Sequence, residues 1–270
     1  MAAVGIGGHS DEKTGDYQST RLDFGASEYA ANFEHYYKQK IYPVVAPNLH
    51  QESSIHSFEI GSLSDPYFID LRQIYCNISW KVVREDGSNL DETDDKVSIV
   101  NSASHSLFEQ IDVSINGIQI SDHTRYTHFR SFLTNCLSIS SDVKKSLLIM
   151  DFWKDDDDNA KTKIVNASFE ETGIKERSKI IATSNEVNSY FKPMFDLATS
   201  ERDLPGGNVL RMVFTITPSD FLLLYPTGGK NYKVKITQFE MEVGRYLPPK
   251  SIQKSIESKK KTPLVFPLTR

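Results

Sequence analysis

The residues of this chain that could do chemistry are few, and their spacing argues against most of it. His105-Ser106 stands just ahead of an apolar segment and offers a base beside a hydroxyl nucleophile. Serine catalysis of that kind exposes its nucleophile on a strained turn, and the sequence has no G-x-S-x-G motif to build one. A helical turn that packs Leu107 and Phe108 beneath the next strand accounts for the same residues. Asp122, His123 and His128 carry metal-ligand types. The two histidines are spaced i, i+5, which puts them on different faces of a helix, and no H-E-x-x-H or facial triad accompanies them. Asp155–Asp158 is a run of four carboxylates. A Ca²⁺ loop alternates its ligands around a turn glycine; none sits here, and like charges in a row repel, so the run reads as a solvated loop tip. Lys250, Lys254 and Lys259–Lys261 form a basic cluster with no interleaved aromatic. That suits a solvated face or non-specific phosphate contact, not sequence recognition. Cys76 and Cys136 form no CxxC pair and are expected as free thiols. The sequence therefore predicts no catalytic residue, no cofactor, no metal and no enzyme.

What such residues would need is a scaffold, and the scaffold reads as strands. From Tyr67 to Val83 the chain is aromatic and β-branched, with Ile74, Cys76, Ile78 and Trp80 apolar against Gln73, Asn77, Ser79 and Lys81. That alternation describes a half-buried strand. Ser57–Ile60 and Lys96–Val100 are shorter strands, and Lys179–Thr183 is a possible one. Asn116-Gly117 is the preferred pair for a type I′ hairpin turn. A two-residue turn sets Ile115 opposite Ile118 and Val113 opposite Ile120, so with Ile111 these side chains are predicted on one face. Val187–Leu197, broken by Pro193, suits an edge strand. Val209–Thr217 alternates cleanly, with Leu210, Met212, Phe214 and Ile216 on one side. Tyr232–Leu247 changes phase once: Tyr232, Val234 and Ile236 are even-numbered, Phe239, Met241 and Val243 odd-numbered. One extra residue near Thr237 or Gln238, a β-bulge, explains the slip.

Helical signals are local. Residues 26–42 are predicted as a short helix. Tyr126, Phe129, Phe132 or Leu133, and Leu137 recur at helical spacing, Ser141 is a plausible N-cap, and 250–260 suits a short basic helix. About eight strands with no βαβ rhythm and no repeat near 40 residues exclude a parallel sheet and a propeller. Long loops at 84–95 and 121–165 favour an all-β, antiparallel jelly-roll sandwich with a helical insertion and extended arms. The expected domains are an N-terminal arm over 1–54, partly disordered, a jelly roll over 55–247 with its excursion at 121–165, and a C-terminal linker or arm over 248–270.

Composition bounds the partners. The 270 residues carry 31 basic and 36 acidic side chains, a formal charge of −5. Such a chain has no global attraction to nucleic acid or anionic lipid. No stretch approaches the ~18–20 apolar residues of a membrane span. The N-terminus lacks the apolar centre of a secretory signal, so synthesis in the cytoplasm or nucleus of the cell without secretion is expected.

Several segments in order resemble a known family. They are Tyr67-Phe68-Ile69-Asp70-Leu71, REDGSNL at 84–90, NSASHSLFEQIDVSINGIQIS at 101–121, Tyr126–Leu133, DVKKSLL at 142–148 and Phe152-Trp153-Lys154-Asp155. The ordered set resembles invertebrate proteins encoded by Maverick/Polinton elements and adintovirus-like genomes, with their YIDL, DGTNL, NNFLHSLFxQVDVxLN, YPYRAY, KxSQL and WYKD-like runs. Arg245-Tyr246 to Pro267 resembles that family's stretch after its first domain. The resemblance covers about two thirds of the chain. That family is similar to double jelly-roll major capsid proteins, this chain matching the N-terminal jelly roll. It implies a viral or transposon-encoded capsid protein of the virion that forms homotrimers, then a shell with other capsid proteins. The residues expected to make assembly contacts are Tyr36, Tyr37, Tyr126, Phe129, Tyr246 and the apolar triplet Leu264, Val265 and Phe266, which has no local partner and is expected either to add a strand to a neighbour or to lead into a natural chain that continues past Arg270. The alternative is a jelly-roll module that binds a carbohydrate or receptor without building a shell; Trp80 and Trp153, in different elements, supply no stacking cluster for it.

Overall fold

The computed structural model describes residues 35–44, 55–91, 96–121, 125–146, 148–156, 172–199, 202–226 and 231–259. The long alternating segment forms β3 (Phe68–Arg84), and the other strands are β1 (His35–Ile41), β2 (Ile55–Ile60), β4 (Ser98–Ile99), β5 (Phe108–Ile115), β6 (Ile118–Gln119), β7 (Val187–Phe191), β8 (Leu210–Ile216), β9 (Leu223–Leu224) and β10 (Tyr232–Leu247). The α-helices are α1 (Ala103–Ser106), α2 (Thr127–Ser138), α3 (Ser141–Ser146), α4 (Thr172–Ile180), α5 (Ser219–Leu222) and α6 (Lys250–Lys259).

Pairing gives the topology. Setting aside the short β4–β9 pair, β1 pairs with β10, β2 with β8, β3 with β7 and β5 with β6, all antiparallel. First pairs with last, second with second-last, and so on to the hairpin at the centre. This is one long folded ribbon of strand pairs. Additional pairing of β10 with β3 and of β8 with β5 rolls the ribbon into two four-stranded sheets, β1-β10-β3-β7 and β2-β8-β5-β6. A ribbon wrapped so that its pairs fall in two facing antiparallel sheets is a jelly roll.

The apolar faces close on each other. Phe239 of β10 meets Phe58, Phe214 and Phe108 of the opposite sheet at ring-centroid distances of 4.7, 5.3 and 5.5 Å. Trp80 is buried, and its indole N–H donates to Ser189 Oγ at 2.8 Å, joining β3 to β7. The phase of β10 works as its sequence predicts: the register with β3 shifts between Ile236 and Gln238, leaving Thr237 without an opposite residue. Without that extra residue Phe239, Met241 and Val243, all buried, would point away from the core. A second shift between Val243 and Gly244 bulges Leu71, Arg72 and Gln73 out of the β3 pairing. A side chain at Gly244 would lie 2.7 Å from both Gln73 Cβ and the Tyr36 hydroxyl, so the close approach there requires glycine.

The hairpin turn has φ of 50° at Asn116 and 80° at Gly117, the two positive values a type I′ turn needs. Asn116 also anchors the turn laterally: its Oδ1 accepts the Val209 N–H at 2.9 Å and its Nδ2–H donates to Asn208 at 2.8 Å. The predicted common face is only partly realised. Ile111 and Val113 are buried and Ile115 and Ile120 half-buried, but Ile118 is exposed, because β6 is two residues long and the tip runs past the sandwich edge.

Two local expectations are corrected. The described part of 26–42 is a strand, not a helix: β1 finds seven partners on β10, from His35 opposite Leu247 to Ile41 opposite Met241. A short isolated helix is marginal in water, whereas the ladder satisfies every second backbone group of β1 at once. Lys179–Thr183 is not a strand either; it holds the end of α4 and the start of a 3₁₀ turn, Ala182–Ser184. Arg177 explains why. It is fully buried, donating to the Ile99 and Lys154 carbonyls, to Asn101 Oδ1 and to Asp156 Oδ1, a set that holds α4 against β4. Of the run Asp155–Asp158, Asp155 and Asp156 are exposed and outside any helix or strand, as expected of a loop, and the Asp156 carboxylate also accepts from Arg177; Asp157 and Asp158 lie outside the described residues.

Candidate assembly surface

Between β6 and β7 the chain leaves the sandwich and builds α2, α3 and a 3₁₀ turn, Leu148–Asp151. The helix at Thr127–Ser138 follows the predicted apolar spacing and turns that apolar side outward. Its buried residues are His128, Ser131 and Asn135. His128 packs against Phe221 with ring centroids 4.3 Å apart and lies near the backbone of Phe108 and Glu109, its Nδ1 buried without a hydrogen-bond partner among the described residues. Burial holds its imidazole below the ordinary histidine value, against the pull of Glu109 and those backbone groups. Asn135 Nδ2–H donates to Ser102 Oγ at 3.1 Å, and the Ser131 hydroxyl turns back to the Thr127 carbonyl at 2.9 Å. Small polar side chains let α2 lie close to the α1 segment, with their hydrogen bonds made internally.

The apolar stripe consequently faces out. Tyr126, Leu133 and Leu137 are 65, 55 and 84% exposed. Phe129 and Phe132 are half-covered, the first edge-on to Phe221 and the second stacked on Trp153. Val143 of α3 and Ile149 and Met150 of the 3₁₀ turn add to the exposed apolar side chains of the same insertion. With ~150–250 Å² for each large side chain, the α2 residues alone expose on the order of 500 Å², comparable with the ~300–600 Å² of the largest patch on a typical monomer. Arg130 pairs with Asp196 at the surface, and Lys144 Nζ–H donates to the Cys136 carbonyl in the last turn of α2 at 2.9 Å, joining α3 to α2. A cavity of about 290 Å³ opens beside Phe129 and Phe132, lined also by Phe221, Leu224, Arg177 and Asp156.

A second surface is β1. It pairs with β10 on one edge, and no strand pairs with its other edge among the described residues. Its residues are exposed on both faces apart from Gln39 and Ile41, which are half-buried. Tyr36 and Tyr37 are 44 and 37% exposed, and Tyr37 lies edge-on to Tyr67 at 5.3 Å. Beneath them Arg245 is buried, donating to Asp65 Oδ2 at 2.6 Å, to Gln39 Oε1 at 2.9 Å and to the Tyr67 carbonyl. Lys40 and Asn77 both donate to Glu240 Oε1 at 2.8 Å, and the hydrogen bond from Lys40 chiefly holds that carboxyl below its usual value. Tyr246 does not belong to either surface. It is buried against Phe68, Ile252 and Ile256, its hydroxyl donating to Asp203, so the ring is a seat for α6 and not a contact for a neighbour. Leu264, Val265 and Phe266 lie outside the described residues, as do Asp122, His123, Lys260 and Lys261.

The residues first weighed for chemistry have structural partners. His105 has its Nδ1 on Asp151 and its Nε2 on the Lys192 carbonyl, with Ser106 buried beside it. Among the described residues no three His, Cys, Asp or Glu side chains come together to hold a metal ion. Cys76 and Cys136 are free, and burial pushes the Cys76 thiol well up. No helix among the described residues is long and apolar enough to cross a membrane.

No family model and no curated protein matches the sequence. Solved structures do match. A chain of the Sputnik virophage, determined by cryo-electron microscopy, aligns with 83% of this chain and 50% of its own length at 11% identity and a TM-score of 0.50. The Faustovirus major capsid protein aligns with 87% of this chain and 57% of its own at 10% identity and a TM-score of 0.43. The mavirus major capsid protein aligns with 93% and 52% at 11% identity and a TM-score of 0.36. The chain spans about half the length of the solved structures it matches. At this identity the likeness to the Sputnik chain is one of fold, and it agrees with the jelly-roll topology read from the strand pairing.

Proposed function

We propose that this chain is a structural protein of a viral or transposon-encoded capsid, located in the virion, which assembles with further copies of itself and with other capsid proteins. The observation that carries the reading is the outward apolar stripe of α2. A helix that buries Ser131 and Asn135 while Leu133 and Leu137 face water is stable enough within the chain, but its surface is completed only by another macromolecule. The doubly exposed strand β1, with Tyr36 and Tyr37, supports the same reading, since an open edge is a template for pairing. So do the shared fold with the Sputnik chain and the ordered resemblance to the Maverick/Polinton and adintovirus-like proteins. A homotrimer that then builds a shell is the assembly this reading favours, with Tyr36, Tyr37, Tyr126, Phe129 and the Leu264–Phe266 triplet at its contacts. Sedimentation velocity and negative-stain imaging of the full chain test it: trimers and larger closed particles are expected, and a strict monomer at every concentration and ionic strength overturns it.

A further inference from the structure

Both ring nitrogens of His105 face acceptors. Nδ1 lies 2.9 Å from Asp151 Oδ2, and Nε2 lies 3.2 Å from the Lys192 carbonyl oxygen. A carbonyl cannot donate, and a carboxylate does not, so satisfying both contacts takes two ring N–H groups, which only the imidazolium has. The site is closed: Asp151 is buried, its Oδ1 accepts the Ser104 N–H at 3.1 Å, and the Phe191 ring lies across His105 at 4.9 Å. Other titratable groups on the packed elements are engaged elsewhere. The Lys192 ammonium turns to the Ala198 carbonyl, and the His128 ring of α2 lies against Phe129 and Phe221. Asp70 and Arg72 act on Lys192. The charge facing His105 is therefore that of Asp151. Burial opposes protonation, but the Asp151 charge and hydrogen bond, with the Lys192 carbonyl, outweigh it and raise the imidazole above its ordinary value.

This contact ties three elements together. His105 is on α1, Lys192 follows β7, and Asp151 ends the 3₁₀ turn whose Ile149 and Met150 are exposed. The next residues carry the link onward: Phe152 is edge-on to Trp80 of the core, and Trp153 stacks on Phe132 of α2. We infer that the His105–Asp151 pair is a proton-dependent clamp that fastens the 3₁₀ turn and α2 to the sandwich and so regulates the apolar face by pH. The regulatory part rests on the reading of that face as an assembly contact. A histidine whose folded value is raised contributes stability fully present below the unfolded value of ~6.5 and lost as pH rises through the folded value. Below ~pH 6.5 the clamp is closed. At higher pH the neutral ring can donate to only one of its two acceptors, and a buried carboxylate or carbonyl is left unpaired.

The test is an NMR titration of ¹⁵N-histidine-labelled full chain from pH 5.5 to 9, paired with hydrogen exchange corrected for intrinsic rates. His105 is expected as a doubly protonated ring at pH 6.5, titrating above ordinary histidines. Amide protection in 127–138 and 148–153 should fall at least tenfold across that same transition while β3 and β10 stay protected. In Asp151→Asn the His105 value should drop below ordinary and protection of the insertion should become independent of pH. A neutral His105 ring at pH 6, or wild-type protection that is flat over the range, overturns the clamp even if Asp151→Asn does not fold. Neither readout requires assembly. A monomer with the titration keeps the clamp and removes the shell; particles formed equally at pH 6 and 9 by a protein with flat protection keep the shell and remove the clamp.

Discussion

Replacing Leu133 and Leu137 together by glutamate tests whether the outward stripe of α2 joins copies. The two side chains are 55 and 84% exposed, so the fold loses little when they become polar. Surface substitutions of this type stay within ~0.5 kcal/mol, and glutamate is a good helix former. Association is affected differently. Burying a leucine fully contributes ~1.5–3 kcal/mol. Scaled by what each residue still exposes, the pair supplies ~2–4 kcal/mol per copy to a contact that covers it, or about 30- to 1000-fold in Kd. Two carboxylates driven into the contact weaken it further. The variant is expected to keep its chemical denaturation midpoint and to sediment as a monomer at concentrations where the wild type associates. Association equal to wild type, with unchanged stability, would show that α2 faces solvent in every state of the protein.

Phe239→Ala removes the ring common to three of the core's Phe–Phe contacts and should cost ~3–5 kcal/mol in urea denaturation, well above a surface change. Deleting Thr237 should be worse, because it flips Phe239, Met241 and Val243 to the wrong face; a stable, well-dispersed variant would refute the bulge argument. Gly117→Ala places a Cβ at φ 80° and should cost ~1–2 kcal/mol by the same measurement. Burial pushes His56 down to about 4, so the unfolded chain binds the extra proton between ~6.5 and ~4. Stability is present above the unfolded value and is lost as pH falls through that window, by ~3 kcal/mol for this group. His56→Gln should flatten that part of the pH–stability curve. Arg177→Met leaves the carbonyls of Ile99 and Lys154 without their donor while the exposed Asp156 carboxylate stays hydrated, costing ~1–3 kcal/mol; hydrogen exchange should show the loss in α4 and β4 before the sheets.

The strands were readable because their information is local and redundant. In β8, Leu210, Met212, Phe214 and Ile216 alternate with Arg211, Val213 and Thr215, and the first four are buried. The slip in β10 is visible because apolar residues change from even to odd numbers, which no continuous strand allows. β1 was not readable. HYYKQKI has no sustained alternation, and its conformation comes from β10, about 200 residues away in sequence. The same limit applied to Lys179–Thr183, whose structure depends on the Arg177 bonds to Ile99 and Asn101. On α2 the spacing of Phe129, Leu133 and Leu137 gave the helix but not its orientation. Periodicity reports that one side is apolar; what that side faces depends on what the rest of the chain offers it. Ser131 and Asn135 at the same spacing, the latter bonded to Ser102, are the available signal for a polar inner face. Tyr246 shows the converse: a tail aromatic after a long strand reads as a contact for neighbours until α6 is seen to cover it.

An exposed apolar stripe gives specific association only if it is held in one orientation; on a loose loop it gives aggregation. The insertion meets that condition by polar means. Arg177 spends all three of its nitrogens within one element-to-element seam, and Asp151 accepts from both Ser104 and His105. Buried charges of this kind add little net stability compared with apolar packing, because desolvation offsets their attraction. They do penalise every arrangement in which a partner is missing. Phe152 and Trp153 pack the insertion against Trp80 and Phe132, directional bonds to backbone groups fix its orientation, and Leu133 and Leu137 face outward. In that division of labour the sandwich core supplies the folding free energy, the buried polar seam fixes the geometry, and the leucines and aromatics of α2 are left to whatever docks on them.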